Sequence, residues 1–576
     1  MNNRELADVF TLIANLLEIK GEIIYKTLAY RKAAESLLDL GRDVNEYWKE
    51  GKLEDIPGVG KSISEKIDEL LRTGKLEFLE KLEQEVPASL ADWLQVPSLG
   101  TKKVALIWKE LGITTLPELE KVARAGQLRG LPGLGEKSEA QVISGIASLA
   151  RRSGRIPLGR AFPLAQEIIA ALKKIPGVTD ASPAGSLRRM RSTVGDLDIL
   201  VAARDSAPVM DAFTSLPGVS RVLGRGETKS SIEFSDGVRA QVWVHPPERF
   251  GTALQYATGS KDHNVRLREL ALDRGLSLSE HALVRTDPST GSGQAAKDEI
   301  LCATEEEVYA ALGLPWIPPE LREDRGEVQA AKAGKLPKLI EVKDIHADLQ
   351  VHSTWSDGNL SMLEMARVAS KRGIKVIAFT DHSVSLSVQD HKKQQAEIKK
   401  VQKELGDLIR ILHASEVEIK ADGSLDYPDK FLASLDLVVA SLHTSLHQPR
   451  EKVTERMLNA VRNPHVDIIG HPTGRLIPDR EEADLDMEAV LAAAVESGVA
   501  LEINAHPARL DLDDVTARRA KELGIPLSIN TDAHSEADLD VLPFGVAIAR
   551  RAWLTADDVI NCWPVDKLLD WLRKRG

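Results

Sequence analysis

The sequence predicts a multidomain chain in three styles. An α-helical N-terminal region leads into an α+β middle, and strands and helices alternate through a C-terminal half built as a parallel sheet or barrel. Three observations carry this. At 576 residues the chain is too long for one core, and length suggests roughly three to five domains. Apolar residues fall at helical spacing from Leu6 to Leu40 and again from Lys52 to Leu82. Later, strand-like apolar runs stand ahead of chemically capable residues: Val376-Ile377-Ala378-Phe379 before Thr380-Asp381-His382, Leu437-Val438-Val439-Ala440 before His443, Asp467-Ile468-Ile469 before His471, and Leu527-Ser528-Ile529 before Asp532-Ala533-His534. Such a β-then-α rhythm gathers a site at the C-terminal ends of the strands.

Composition excludes some classes. With 43% hydrophobic and 28% charged residues the chain has ordinary globular character. No apolar run approaches the ~20 residues needed to cross a bilayer, so no membrane contact is expected. The start, Met1-Asn2-Asn3-Arg4-Glu5, lacks a hydrophobic signal segment. Cys302 and Cys562 are too few for a disulfide framework or thiolate zinc site, and a reducing cytoplasm is expected. The net charge of −12 is unevenly distributed: residues 101–200 hold 16 Lys+Arg against 9 Asp+Glu, and residues 401–550 hold 15 against 27. Phosphate contact is therefore expected in the first half and cation binding in the second. Eleven of the 14 histidines lie between His346 and His534, which points to a metal-dependent site there.

Three short elements between helical stretches resemble one another: Ile56-Pro57-Gly58-Val59-Gly60-Lys61, Val96-Pro97-Ser98-Leu99-Gly100-Thr101 and Leu131-Pro132-Gly133-Leu134-Gly135-Glu136. A Gly-x-Gly hairpin lets backbone N–H groups face a phosphate, and the following helix adds its dipole. One such element could be a tight interhelical turn. Three of them resemble helix-hairpin-helix binding of the DNA backbone without sequence readout, with Gly58, Gly60, Gly100, Gly133 and Gly135 as the contact glycines.

Residues 155–245 alternate strand-like and helical runs. Within them Gly185-Ser186-Leu187-Arg188-Arg189, after Ser182-Pro183-Ala184, offers N–H groups, a hydroxyl and two guanidinium forks, as a triphosphate needs. Asp196-Leu197-Asp198 enters the apolar run Ile199-Leu200-Val201, so both carboxylates project from one strand face and can share metal ions. Carboxylates beside an anion cradle suggest nucleotidyl transfer with two metals; Asp-x-Asp alone would read as a loop entering an ordinary strand.

This pattern resembles the nucleotidyltransferases of DNA polymerase family X. Tyr256-Ala257-Thr258-Gly259-Ser260, followed by Asn264 and Arg268, is similar to the family's nucleotide-binding face. The resemblance implies that Ser186 and Arg189 hold the triphosphate, that Tyr256 lies near the incoming sugar, that Asn264 and Arg268 contact the nascent pair and template, and that Gly185, Gly195 and Gly259 belong to the same nucleotide-binding face. It implies Mn²⁺ or Mg²⁺ at Asp196 and Asp198. The N-terminal module resembles the lyase domain of polymerase beta through Tyr30-Arg31-Lys32-Ala33-Ala34 and the hairpin beginning at Pro57. Lys26 and Tyr30 then fall at a 5′-phosphate site and Lys66 at the Schiff-base lysine, although a solvated helix face explains Lys66 equally well.

Two departures stand out. Before Pro246-Pro247-Glu248-Arg249-Phe250-Gly251 the family usually has a third catalytic aspartate, and Gln241 stands there. Alternation puts Arg239, Gln241 and Trp243 on one strand face and Val238, Ala240, Val242 and Val244 on the other. A carboxamide cannot serve as a base for the primer hydroxyl proton. Ala257 replaces an aromatic, which puts sugar discrimination in doubt.

In the histidine-rich half, Gln350-x-His352 and Asp532-x-His534 each put both side chains on one strand face. Gln350-Val351-His352, Ser356-Asp357-Gly358, Thr380-Asp381-His382, Ser415-Glu416, Ser441-Leu442-His443, Gly470-His471-Pro472-Thr473 and Thr531-Asp532-Ala533-His534 follow the order of PHP (polymerase and histidinol phosphatase) domains. That resemblance implies a distorted (β/α)₇ barrel holding two to three divalent ions through His352, Asp357, His382, Glu416, His443, His471, Asp532 and His534. Imidazole–carboxylate mixtures suit manganese, zinc or iron. Gln350 takes a usual histidine position and is a weaker ligand. His346, His391, His413, His447, His465 and His506 match nothing and are expected to be structural or solvent-facing.

The expected domains are a lyase-like helical module at 1–82, helical fingers with two further hairpins at 83–152, a nucleotidyltransferase palm at 153–249, a thumb at 250–319, a polar linker at 320–343, and a PHP domain at 344–576. A Ser/Thr/Gly-rich turn is expected at Ser289–Gly293. Taken together, the chain is expected to be a monomeric bacterial or archaeal family X DNA polymerase fused to a PHP domain, filling short gaps in gapped or nicked DNA from dNTPs. A manganese-dependent 3′→5′ exonuclease, with possible AP-endonuclease action at the same site, is implied for the PHP half. The rival is an end-binding nuclease whose polymerase site is impaired by Gln241. A small-molecule phosphatase would leave the three hairpins without purpose.

Overall fold

The computed structural model describes residues 1–576 except 2, 23, 39–43, 57, 97–98, 152–154, 287–294, 447, 479, 481 and 576. Pro57, Pro97, Ser98, the turn Ser289–Gly293 and His447 therefore lie outside the described residues. The chain forms two compact units, one of residues 1–154 with 233–238, the other of 155–232 with 239–576.

The first unit is helical. Spaced apolar residues put Ile63, Ile67 and Leu70 on the buried face of Lys61–Thr73, which ends at Gly74 in the left-handed region. One apolar cluster runs from Leu6, Phe10 and Ile13 through Ile67 and Trp93 to Val104, Leu119 and Val142. Helices on both sides of residue 82 thus share a core. Gly58 and Gly133 adopt positive φ (79° and 76°), while Gly60 and Gly100 cap the helices that follow them with extended backbone.

In the second unit a five-stranded sheet runs in the order Val178–Pro183, Leu197–Ala203, Arg239–His245, Lys229–Phe234, Val219–Arg225. Leu197–Ala203 is antiparallel to Val178–Pro183 and parallel to Arg239–His245. The thumb follows with helices Phe250–Thr258 and Lys261–Asp273, an antiparallel three-stranded sheet, and helix Glu305–Ala311.

The charge-dense stretch 320–343 joins the halves without being a solvated tether. Arg322 and Glu327 are fully buried, because Arg322 forks onto Glu305 at 2.6 and 3.1 Å and Glu327 takes His263 Nδ1 at 2.6 Å. Partnered charges tolerate burial, and the sequence shows the charges but not the partners.

Seven parallel strands follow in sequence order: Ala347–Val351, Val376–Phe379, Arg410–Glu418, Leu437–Ser441, Ile468–Ile469, Ala500–Asn504 and Leu527–Asn530. Val351 bridges Ala533 and Leu349 N–H donates to Asn530 Oδ1 (3.0 Å), so the sheet returns nearly to its start as a seven-stranded barrel. Its strands are buried almost end to end, which is why they read as continuous apolar runs.

Two candidate metal centres

In the palm, Asp198 lies opposite Gln241 in the parallel register. The Gln241 amide donates to Asp196 Oδ2 at 2.6 Å. Ala184 N–H donates to Asp198 O (2.8 Å), folding the Gly185 turn onto the strand. Gly185 has φ 58°, and a Cβ there would run into the Asp198 carboxylate, so this position takes only glycine. Burial, with the Asp196 charge beside it, pushes Asp198 up to about 7. Two half-buried carboxylates set side by side form a site that a cation relieves.

The two arginines of the turn part company. Arg188 is consumed structurally: it forks onto Glu305 at 2.8 and 2.7 Å and donates to Thr258 Oγ1 at 2.6 Å. Glu305 is buried, yet Arg322 and Arg188 together hold its carboxyl well below the usual range. Arg189 instead donates to Thr258 O (2.5 Å) and Glu323 Oε1 (3.1 Å), and its charge, with that of Lys229, offsets part of the rise at Asp198. Ser186 is half-buried in the helical turn Gly185–Arg188, and Gly195 is exposed after the short strand Thr193–Val194. A Cβ on Gly259 would stand 3.2 Å from Arg189 Nη1, so Gly259 lets the guanidinium through.

Asn264 is not presented outward. It is 8% exposed, and its amide donates to Tyr256 O and accepts from Gln255 Nε2, both at 2.8 Å. Arg268 is exposed, and Tyr256 and Ala257 are half-buried.

In the first unit, Lys66 and Lys26 both stand over the Phe78 ring, 5.2 and 5.8 Å from its centroid. Lys66 Nζ donates to Ser62 O and Oγ at 3.1 Å each. Tyr30 is buried and stacks on Phe10 and Phe78, so its ring belongs to the core.

The barrel gathers a second, richer donor set at the C-terminal ends of its strands. His352, Asp357, His382 and His534 bring ligand atoms within 4.8 Å of one another, as do His382, Glu416 and His443, and His352, Glu416 and Asp532. Glu416 sits at the centre: Oε2 is 3.1 Å from His382 Nδ1 and 3.5 Å from His352 Nε2, while Oε1 is 2.9 Å from His471 Nε2 and 3.3 Å from His443 Nε2. His352 Nε2 lies 3.1 Å from Asp532 Oδ1. Burial opposes the charge, but Asp532 and Glu416 lift the His352 imidazole to about 9, and Glu416 with Glu418 lifts His443 to about 10. Burial beside Arg509 drops His471 to about 4.

The buried Nδ1 atoms of His352 and His471 have no hydrogen-bond partner, and neither has Glu416 Oε2. Such a mixture of ionised carboxylates and unsatisfied imidazoles fits divalent cations. Gln350 is buried in the barrel, and neither its amide nitrogen nor its amide oxygen has a hydrogen-bond partner. Of the unmatched histidines, His391 and His413 are buried and linked (3.2 Å), and His391 reaches Tyr427 Oη (3.0 Å). His346, His465 and His506 are half-buried.

Sequence reasoning missed Glu418, Asn504 and Arg509. Glu418 Oε2 lies 2.8 Å from His443 Nδ1, which leaves Nε2 turned to the cluster. The spacing Glu416-x-Glu418 put both carboxylates on one strand face and could have revealed it. Asn504 Nδ2 and Arg509 Nε lie 3.1 and 3.4 Å from Asp532 Oδ2. Arg509 comes from a loop with no periodic signal.

Family models match three segments: a helix-hairpin-helix domain at residues 1–76, the DNA polymerase beta thumb at 253–323, and a PHP domain at 348–506. The chain is 38% identical, over the whole of both chains, to the DNA polymerase/3′-5′ exonuclease PolX of Bacillus subtilis (strain 168). A "probable phosphatase" of Thermoanaerobacter sp. (strain X514) is 32% identical over 40% of this chain and 94% of its own length. DNA polymerase lambda of Rattus norvegicus is 28% identical over 56% of each chain.

Proposed function

The chain belongs to the family X DNA polymerases that carry a PHP domain, and on that premise we propose which residues run its two activities and with which ions. It is a gap-filling repair polymerase with a 3′→5′ exonuclease. Both activities use divalent metal, DNA is the substrate and dNTPs are the building blocks. No helix among the described residues is long and apolar enough to cross a membrane.

The polymerase reaction is assigned to Asp196 and Asp198, with Gly185, Ser186, Gly195 and Arg189 holding the triphosphate. Divalent ions held there supply Lewis acidity and neutralise developing charge. Gln241 orients Asp196 through its amide but takes up no proton from the primer hydroxyl, so extension runs below the rate a third carboxylate would allow. The Gln241–Asp196 hydrogen bond carries this reading, and it favours a slow polymerase beside a competent nuclease. Of the two residues expected beside the base pair, Arg268 is exposed and stands where it can meet template, whereas Asn264 is spent within its own helix pair.

The exonuclease is assigned to the barrel cluster. Asp532, Glu416, Asp357, His352, His382, His443, His471 and His534 hold two to three ions, with manganese, zinc and iron suited to the donor set. Glu418 fixes the His443 tautomer. AP-endonuclease action at the same cluster, lyase chemistry at Lys66, a monomeric state and a cytoplasmic setting complete the proposal. Stripping the protein of metal and restoring Mn²⁺, Mg²⁺, Zn²⁺ or Fe²⁺ singly, on a labelled gapped duplex with and without dNTPs, tests it. Manganese should restore degradation. Degradation that survives chelation would refute the assignment.

A further inference from the structure

The buried ionic network behind Arg189 leads out of the palm and into the PHP half. Glu323 Oε1, the acceptor of Arg189 Nε at 3.1 Å, also takes Arg551 Nη1 at 2.9 Å and lies 3.7 Å from Arg191 Nη1. Arg551 closes the helix Leu542–Arg551 of the PHP half and is 1% exposed. The same Arg551 Nη1 donates to the backbone carbonyl of Arg189 at 2.7 Å. Its other amino group reaches Asp514 at 2.9 Å, and Asp514 takes Arg325 at 2.7 Å. Arg551 thus grips Arg189 twice, once through its main chain and once through the carboxylate that orients its guanidinium.

The network is also unbalanced. Four guanidiniums, of Arg189, Arg191, Arg325 and Arg551, surround the two carboxylates of Glu323 and Asp514, with the Asp198 carboxyl facing Arg189 from the palm, so the cluster is rich in positive charge. With Nε and Nη1 of Arg189 committed, Nη2 remains for an added anion. A triphosphate at the Ser186 turn supplies the missing negative charge. Glu323 is held by Arg551 and Arg191 as well as by Arg189.

We propose that Glu323 and Arg551 are positioning residues for the incoming nucleotide, holding Arg189 against its triphosphate, so that the PHP half sets nucleotide affinity in the polymerase half. The proposal rests on the assignment of Arg189 to the triphosphate. Losing a hydrogen bond to a charged group corresponds to a factor of roughly 10 or more, so Arg551→Ala and Glu323→Ala should each raise KM for dNTP at least about tenfold. Because the contact is made in ground and transition states alike, kcat should stay within about twofold.

The experiment measures single-nucleotide gap filling by the full chain carrying Asp532→Ala to silence degradation, with the exonuclease of the otherwise unaltered variants as the test of folding. Glu323→Gln, which keeps an acceptor for Arg189 Nε, should give an intermediate KM. Arg551→Lys keeps the charge and carries the same test should Arg551→Ala lower the exonuclease as well. In an Arg189→Ala background the effect of Arg551→Ala should vanish, since it acts through Arg189. Additive losses in that cycle, or an unchanged KM in the Glu323 and Arg551 variants while Arg189→Ala raises it, would overturn the proposal alone. An unchanged KM in Arg189→Ala itself would overturn the triphosphate assignment beneath it.

Discussion

The Gln241 carboxamide donates to Asp196 Oδ2 at 2.6 Å from a position level with Asp198 on the neighbouring strand. The polymerase site proposed here therefore has two carboxylates and an orienting amide. Gln241→Asp would replace that donor with a third carboxylate that can accept the primer hydroxyl proton. General-base catalysis is worth about 10²–10⁴-fold, so extension on a one-nucleotide gap should rise at least about tenfold. The rate is read in an Asp532→Ala background. An unchanged rate there would mean that proton removal does not limit the enzyme.

Glu418→Gln should lower exonuclease activity about 10–100-fold, the range for partners that orient a metal-ligating histidine. Polymerase extension should be untouched, because the Glu418 carboxylate meets His443 and Thr444 inside the barrel. Total metal content, read by mass spectrometry, should fall with it. Full activity and full metal loading would show that the Glu418 contact is incidental.

Glu305→Ala leaves Arg188 and Arg322 without their shared carboxylate. Removing one partner from a buried ion pair typically costs about 3–5 kcal/mol. Chemical denaturation followed through thumb fluorescence (Trp316 donates to Glu305 at 3.1 Å) should show the transition at lower denaturant. A midpoint equal to the parent's would contradict this packing of the thumb.

Binding of gapped duplex by the full chain should weaken steeply with salt, with a log–log slope of about −0.9 per phosphate neutralised and little sequence preference. Fluorescence anisotropy from low to moderate salt measures it. A flat response would count against the hairpins as backbone clamps.

Much of this was legible in the sequence because the chemistry sits where periodicity is strict. Fully buried barrel strands read as apolar runs, and His382, His443, His471 and Asp532 stand just beyond their ends, in the order that the PHP resemblance implies. Alternation likewise put Gln241 on the face shared with the aspartates. What was hidden depends on partners far away in the chain. Nothing local distinguishes Arg188, spent on Glu305, from Arg189, and nothing local shows that Asn264 is consumed by Tyr256 and Gln255. The stretch 320–343 looked solvated because its charges were visible and the burial of Arg322 and Glu327 was not.

We propose that one chain carries two independent metal centres, nucleotidyl transfer at Asp196 and Asp198 and phosphodiester cleavage at the barrel cluster. The most direct measurement follows a 5′-labelled primer at a one-nucleotide gap on a single gel, with Mn²⁺ and with or without dNTPs. The parent chain, Asp196→Ala and Asp532→Ala are compared. Asp196→Ala should lose extension and keep shortening the primer, and Asp532→Ala should keep extension and lose shortening. Loss of both activities in either variant, or shortening that persists in Asp532→Ala, would contradict the account.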